Sequence, residues 1–168
     1  TVGLTAAVVH LFNHGISKAL LFVCTGIIFL SFGSSFYKNI KGLGRRMPWT
    51  SAAFLIGGFS LIGIPGTAGF VSKWLLVQAA IEQGSWLIVA SILISSLIAI
   101  LYVWQVTEIM YFSHAPSIET KNHLGSASFL IVWILAFATL FFGLNTSFTV
   151  EYSSKAANLL MNNFIMEN

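Results

Sequence analysis

Residues 50–82 read TSAAFLIGGFSLIGIPGTAGFVSKWLLVQAAIE, and this stretch decides the fold. It stays largely apolar over some 33 residues, whereas roughly 20 suffice to cross a bilayer as a single helix. Its middle, Gly63-Ile64-Pro65-Gly66-Thr67-Ala68-Gly69, is hostile to a continuous helix. Proline has no N–H to give and its ring clashes with the preceding turn, while glycine weakens the helix on either side. The expected form is a discontinuous helix, two half-helices meeting at an elbow made by Gly63, Pro65, Gly66 and Gly69.

Four residues beyond the elbow stands Lys73, bracketed by Phe70, Val71, Trp74, Leu75 and Leu76. It lies too far from either end of the span to reach the headgroups easily. A lysine at membrane depth costs ~2.5–3.5 kcal/mol on insertion scales, so it is expected to face the bundle interior or a wet cavity. Broken helices leave backbone groups unpaired and mark ion sites in transporters. The plainer alternative is a structural lysine bonded to a neighbouring carbonyl.

Working outward, three further apolar runs bracket this one. The first extends from about Leu4 to Phe36, the third from Trp86 to about Met110 and the fourth from Ser126 to Leu144. Tyr37 to Pro48 forms a basic loop with glycines at 42 and 44, and Trp49 suits the headgroup level at the start of the broken span. Gln83-Gly84-Ser85 is a tight uncharged turn. A polar loop from Ser113 to Gly125 holds His114, Pro116, Glu119, Lys121 and His123. The tail from Asn145 to Asn168 is less apolar, and Val150 to Phe164 is expected to form a short amphipathic helix at the interface. The fold expected is therefore all-α: a single transmembrane domain of about four spans, the second discontinuous.

Composition agrees. Only 8% of residues are charged, 57% are hydrophobic and aspartate is absent, and the mean hydropathy is +0.86. A soluble domain carries roughly 25% charged residues, so lipid is the solvent that fits. The net charge of +3 and pI near 9.2 do not point to nucleic acid. Four of the eight basic residues, Lys38, Lys41, Arg45 and Arg46, sit in one stretch between apolar runs, as a cytoplasmic loop does under the positive-inside rule. The Ser113–Gly125 loop falls on the same side, which places the tail outside. Cys24 is the only cysteine, which leaves no disulfide, thiolate metal site or iron–sulfur cluster. It reads as an apolar filler. No metal and no cofactor are expected. The chain starts at Thr1 with neither Met nor a signal pattern, and is read as an interior or C-terminal part of a longer protein.

The first span carries HLFNHGISK at 10–18. Positions i, i+4 and i+8 drift by only ~40° per step, so His10, His14 and Lys18 form a ladder ~12 Å long on one helix face. Histidine exchanges protons near neutral pH, and a buried lysine does so once its proton affinity falls. Such a ladder is what a hopping proton needs. Interfacial histidines with a snorkelling lysine would give the same pattern. Glu82 and Glu108 lie near span ends where a carboxylate meets water, and His114 and His123, with Glu119 nearby, read as a solvated loop without metal-ligand spacing.

At these residues the chain resembles the antiporter-like subunits shared by respiratory complex I and the Mrp cation/proton antiporters. The motifs are HLFNHGISKALLF and GLGRRMPWTSAAFLIGGFSLIGIPGTAGFVSKWLL, which together cover roughly the first 80 residues. YVWQVTEIMYF looks like the D-type branch of the Mrp group. The resemblance implies a fold of about fourteen helices built from inverted repeats, of which this chain supplies the C-terminal four. It further implies that His10, His14 and Lys18 are connecting residues of a polar axis, and Lys73 its terminal ionisable group. The glutamate–lysine pair of the first repeat is absent from these residues, so the chain alone holds no complete path.

The function expected is a proton-translocating subunit of an Mrp-type cation/proton antiporter, bound to other membrane subunits in the lipid bilayer of a bacterial inner membrane. Its ion is H⁺, with Na⁺ left open. The alternatives are an antiporter-like subunit of NADH:quinone oxidoreductase or of a membrane-bound hydrogenase, and a scaffold subunit without conduction of its own. A redox enzyme in its own right has no cysteine cluster or dinucleotide fingerprint to support it.

Overall fold

The computed structural model describes residues 2–32, 40–114 and 125–166. Lys38, Pro116, Glu119, Lys121, His123 and the expected end of the first span at Phe36 lie outside the described residues. All regular structure among the described residues is helical. The helices are α1 (Val2–Phe32), α2 (Leu43–Arg46), α3 (Pro48–Ile62), α4 (Ala68–Glu82), α5 (Trp86–Tyr111), α6 (Ser126–Leu144) and α7 (Thr146–Met166). Three of them, α1, α5 and α6, are long and apolar enough to cross a membrane, and α3 is a shorter apolar helix. The chain is an integral, multi-pass membrane protein.

α1 is the mast of the assembly. Its 31 residues rise about 46 Å at 1.5 Å per residue, more than the ~30 Å hydrocarbon core. The α3–α4 segment runs down its whole length in the opposite direction. Phe32, at the end of α1, receives the Arg46 guanidinium at 4.2 Å from its ring centroid. Midway, Ser17 meets Ser60; further on His10 meets Ser72. At the far end Gly3 lies beside the Gln83 side chain. α5 then returns along α3 and α4, with Ser96 level with Lys73, Val103 against Gly58 and Tyr111 against Gly44.

The elbow forms where the sequence places it. Pro48 opens α3, and Gly63 ends it in the left-handed conformation at φ 92°. Gly66 is left-handed too, at φ 90°, a backbone region that a side chain disfavours. Both Gly63 and Ile64 donate back to the Phe59 carbonyl at 3.0 Å, closing the helix before Pro65. Thr67, extended at φ −110°, starts α4. Its hydroxyl donates to the Ile64 carbonyl at 2.7 Å, which pins the turn.

The last two helices differ from expectation. α6 begins beside Trp49, through Phe129 and Trp133, and ends against the elbow, where Gly143 touches the Gly66–Thr67 backbone. α7 is not confined to Val150–Phe164 but has 21 residues from Thr146. It continues in the same direction and lies antiparallel to the first part of α1. Its buried face, Thr149, Ser153 and Ala157, repeats every fourth residue, as one helical stripe does. Packing on α1 stabilises it over this length. Apolar packing gathers in the other half of the bundle, where Leu20, Cys24 and Ile27 of α1 meet Leu43, Ala53, Met110 and Ala136. The polar groups gather around and beyond the elbow.

Gly69 is the tightest point of this arrangement, since a Cβ there would overlap the Ser60 carbonyl of the facing half-helix. Gly69→Val in the full-length protein should lose about 1–3 kcal/mol, read as reduced membrane abundance and a lower melting midpoint in detergent. Gly15→Ala, whose added methyl meets nothing within 4 Å, should leave both unchanged.

Candidate functional site, a cationic cavity at the helix break

The elbow leaves the last carbonyls of α3 without helical partners, because the chain turns away before the next N–H groups arrive. Lys73, one and a half turns into α4, bends back over Gly63 and supplies the missing donors. Its Nζ donates to the Leu61 carbonyl at 2.6 Å and the Ile62 carbonyl at 3.1 Å. The third bond goes to Ser96 Oγ on α5 at 2.8 Å. An ammonium has three N–H donors, and all three are engaged. The C-terminal end of a helix carries partial negative charge, which favours a cation in this position.

Beside this group is a cavity of about 210 Å³. His10, His14, Lys18 and Lys73 all line it, together with Ser95 and Tyr102 of α5. The His10 and His14 rings stack with centroids 5.4 Å apart. The ladder and the lysine beyond the elbow, 55 residues apart in sequence from Lys18 to Lys73, thus share one space. Lys73 and His10 are partly buried, while His14 and Lys18 are exposed on the open side of the cavity. Glu108 is exposed near the end of α5 and His114 is exposed beyond it; neither lines this cavity. Glu82 lines a different one.

A second set of polar residues, unremarkable in the sequence, holds the ladder helix to the elbow. Asn13 Nδ2 donates to the Ala68 carbonyl at 2.9 Å. Gly69 N–H donates to Ser60 Oγ at 3.0 Å, and Ser60 and Ser17 hydroxyls lie 2.7 Å apart. The Ser17 hydroxyl closes the series on the Asn13 carbonyl at 2.9 Å. His10 Nδ1 and Ser72 Oγ are 3.0 Å apart, and the same hydroxyl donates to Gly69 O at 3.2 Å. Asn13, Ser17, Ser60 and Ser72 are each 1% exposed or less, so in this dry setting every such bond weighs more than it would in water. Asn13 Oδ1 alone finds no protein partner among the atoms of this network. The available signal was a polar stripe, His10, Asn13, Ser17, running up an apolar helix at three- and four-residue spacing.

No group of three or more His, Cys, Asp or Glu suited to a metal occurs among the described residues. Chemically, the site offers bases that accept and return protons, hydroxyls that relay them, and a cation whose bonds depend on its proton.

The chain is similar to known membrane proteins. The membrane family described as "NADH:quinone oxidoreductase/Mrp antiporter, TM" matches residues 1–99. NADH-quinone oxidoreductase subunit N of Desulforudis audaxviator is 35% identical over 115 residues, 68% of this chain and 23% of that protein. The putative antiporter subunit mnhD2 of Staphylococcus epidermidis is 31% identical over 165 residues, 95% of this chain and 32% of that protein. The chain thus spans less than a third of the length of these curated relatives. Among solved structures, a chain of the membrane-bound sulfane sulfur reductase, an archaeal respiratory membrane complex, superposes with a TM-score of 0.81 at 28% identity, over 94% of this chain and 32% of that one. A chain of the Mrp complex from a Dietzia species gives a TM-score of 0.83 at 24% identity, over 93% of this chain and 37% of that one, and shows the shared fold. With more than half of its length matched, the chain belongs to the NADH:quinone oxidoreductase/Mrp antiporter transmembrane family.

Proposed function

We propose that this chain carries the C-terminal section of the proton path in a translocating membrane subunit, with His10, His14, Lys18 and Lys73 as its relay. One observation carries the reading: the ladder and the lysine at the helix break line the same cavity. A proton arriving on Lys73 completes three hydrogen bonds, and one leaving it strips the α3 terminus of a cation. Neighbouring charges therefore bias its occupancy, and a change at Lys18 or His14 is felt at Lys73 through the cavity they share. His10, His14, Lys18 and Lys73, which line this cavity, are all basic, which suits protons and repels metal cations.

The complex favoured is an Mrp-type cation/proton antiporter, since the likeness to a putative antiporter subunit runs over 95% of the chain. A subunit of NADH:quinone oxidoreductase or of a related respiratory complex is the alternative, supported by the higher identity over a shorter stretch. Partner membrane subunits and a bacterial inner membrane follow from either, by analogy with those bacterial relatives. The scaffold reading also has an observation in its favour, because carbonyl bonds from Lys73 are what a purely structural lysine would make.

Lys73→Ala in the full-length protein, within its complex, separates them. The relay predicts a fall in transport of about 100-fold or more, the scale of a positioned proton-transfer group, at normal membrane abundance. The scaffold predicts that transport and abundance decline together. Ser96→Ala removes one of the three bonds to the ammonium, and bonds to charged groups contribute about 1.5–3 kcal/mol. Transport by that variant should slow by about tenfold or more in a proton-flux assay, and an unaltered rate would count against the relay.

A further inference from the structure

Along the α1–α7 contact runs an apolar groove, a cavity of about 190 Å³ lined by Val8 and Phe12 of α1 and by Phe148, Thr149, Tyr152 and Ser153 of α7. It is separate from the cationic cavity and from the one that Glu82 lines. Its walls are largely aromatic. Phe12 meets Phe142 edge-on at 5.1 Å, Phe142 stacks on Phe148 at 6.1 Å, and Phe148 meets Tyr152 at 4.6 Å between ring centroids. The Thr149 hydroxyl is turned to its own helix, donating to the Thr146 carbonyl at 3.1 Å. Phe12, Phe148 and Tyr152 remain exposed. The space is too small for a helix, ~10–12 Å across, and suits a single alkyl chain.

At one end of the groove stands an ion pair. Phe148, Glu151, Tyr152 and Lys155 fall at i, i+3, i+4 and i+7, on one face of α7. Lys155 Nζ donates to Glu151 Oε1 at 2.7 Å and lies 5.3 Å from the Tyr152 ring centroid. α7 starts beside the elbow, near mid-bundle, and rises ~1.5 Å per residue, so Lys155 stands ~14 Å further out. Half of the hydrocarbon core is ~15 Å. The aromatic groove therefore lies at acyl-chain depth, and the ion pair at the headgroup level of the leaflet away from the basic segment. With side chains 63% and 61% exposed, the pair itself contributes little to folding. An ammonium has three N–H donors and a carboxylate two oxygens, so one mutual bond leaves room on both. A lone cation would select an anionic headgroup, whereas a cation and an anion side by side favour a headgroup that carries both charges.

We propose that this groove is a binding site for phosphatidylethanolamine, with one acyl chain laid on Val8, Phe12 and Phe148, the phosphate on Lys155 and the ammonium on Glu151. Phosphatidylcholine has no N–H to give Glu151, and phosphatidylglycerol brings a phosphate without a cation. A helix of a neighbouring subunit is the other candidate occupant, but a narrow apolar slot ending in two opposite charges has the proportions of a lipid, an apolar chain with a dipolar head. The occupant lies across the seam of α1 and α7 and so braces α7, the part of the chain expected to be a plain tail, against the ladder helix. The site stands independently of the relay.

The test uses the full-length protein in its complex, reconstituted in phosphatidylcholine vesicles with a small share of phosphatidylethanolamine that carries a diazirine in one acyl chain. After illumination the labelled peptides are mapped, and unlabelled lipids are added as competitors. The site predicts labelling of the segments around Val8–Phe12 and Phe148–Tyr152. Unlabelled phosphatidylethanolamine should compete at about tenfold lower amounts than phosphatidylglycerol, the effect of one bond to a charged group, and the same probe built on phosphatidylcholine should label about tenfold less. Glu151→Lys, a change at an exposed position, should reverse the order of the competitors in favour of phosphatidylglycerol. Equal labelling by the two probes, equal competition, or an unchanged order in Glu151→Lys marks ordinary annular lipid and overturns the proposal. Absence of label from both segments does so too, since a neighbouring subunit then covers the groove. Should Glu151→Lys fail to accumulate, Lys155→Ala replaces it, with loss of the phosphatidylethanolamine preference expected and its persistence contradicting the site.

Discussion

The ammonium of Lys73 bonded to the open end of α3 is the interaction on which the rest of the structure depends. A helix broken inside a membrane leaves carbonyls that neither lipid nor the next turn satisfies. A lysine at that depth is equally out of place unless acceptors surround it. Here each removes the other's penalty: two carbonyls and one serine hydroxyl take all three N–H bonds. The pairing is also conditional, because a neutral amine donates only two bonds and carries no charge to set against the α3 terminus. A structural device thereby becomes sensitive to a single proton, which is the property that a coupling element needs.

The remaining features follow from keeping that device in register with the ladder. α1 could roll or slide along a smooth apolar partner. Instead Asn13, Ser17, Ser60 and Ser72 tie it to both half-helices through the Ala68 carbonyl, the Gly69 N–H and one another. Gly69 allows the approach by lacking a side chain where the Ser60 carbonyl passes. The apolar core lies toward the basic segment, so the apolar packing and the polar groups occupy different halves of the bundle. α6 and α7 likewise follow one another in line, with the division at Asn145 next to the elbow.

Much of this was legible in the sequence, because its signals are local and strong. Proline flanked by glycines inside an apolar run has few helical solutions, and His10, His14 and Lys18 recur at the period of one helix face. What escaped was whatever depends on a partner far along the chain. Ser17, Ser60 and Ser72 look like ordinary small residues in apolar helices until the opposing backbone is known. The tie of Ser96 to Lys73 likewise needs the return of α5. The tail was the hardest: its lower hydropathy suggests a short amphipathic surface helix over Val150–Phe164, whereas α7 starts at Thr146 and buries Thr149, Ser153 and Ala157. Sequence periodicity shows which face is apolar, but not which protein surface will cover it.

The position of the Lys73 nitrogen decides the matter, and a high-resolution density map of the complete complex in lipid would locate it. The account predicts Lys73 Nζ within hydrogen-bond reach of the Leu61 and Ile62 carbonyls, with the cavity shared by His10, His14 and Lys18 enclosed by protein and ordered water. Density showing that ammonium turned out to bulk solvent or lipid headgroups, with the α3 carbonyls satisfied by other groups, would contradict it.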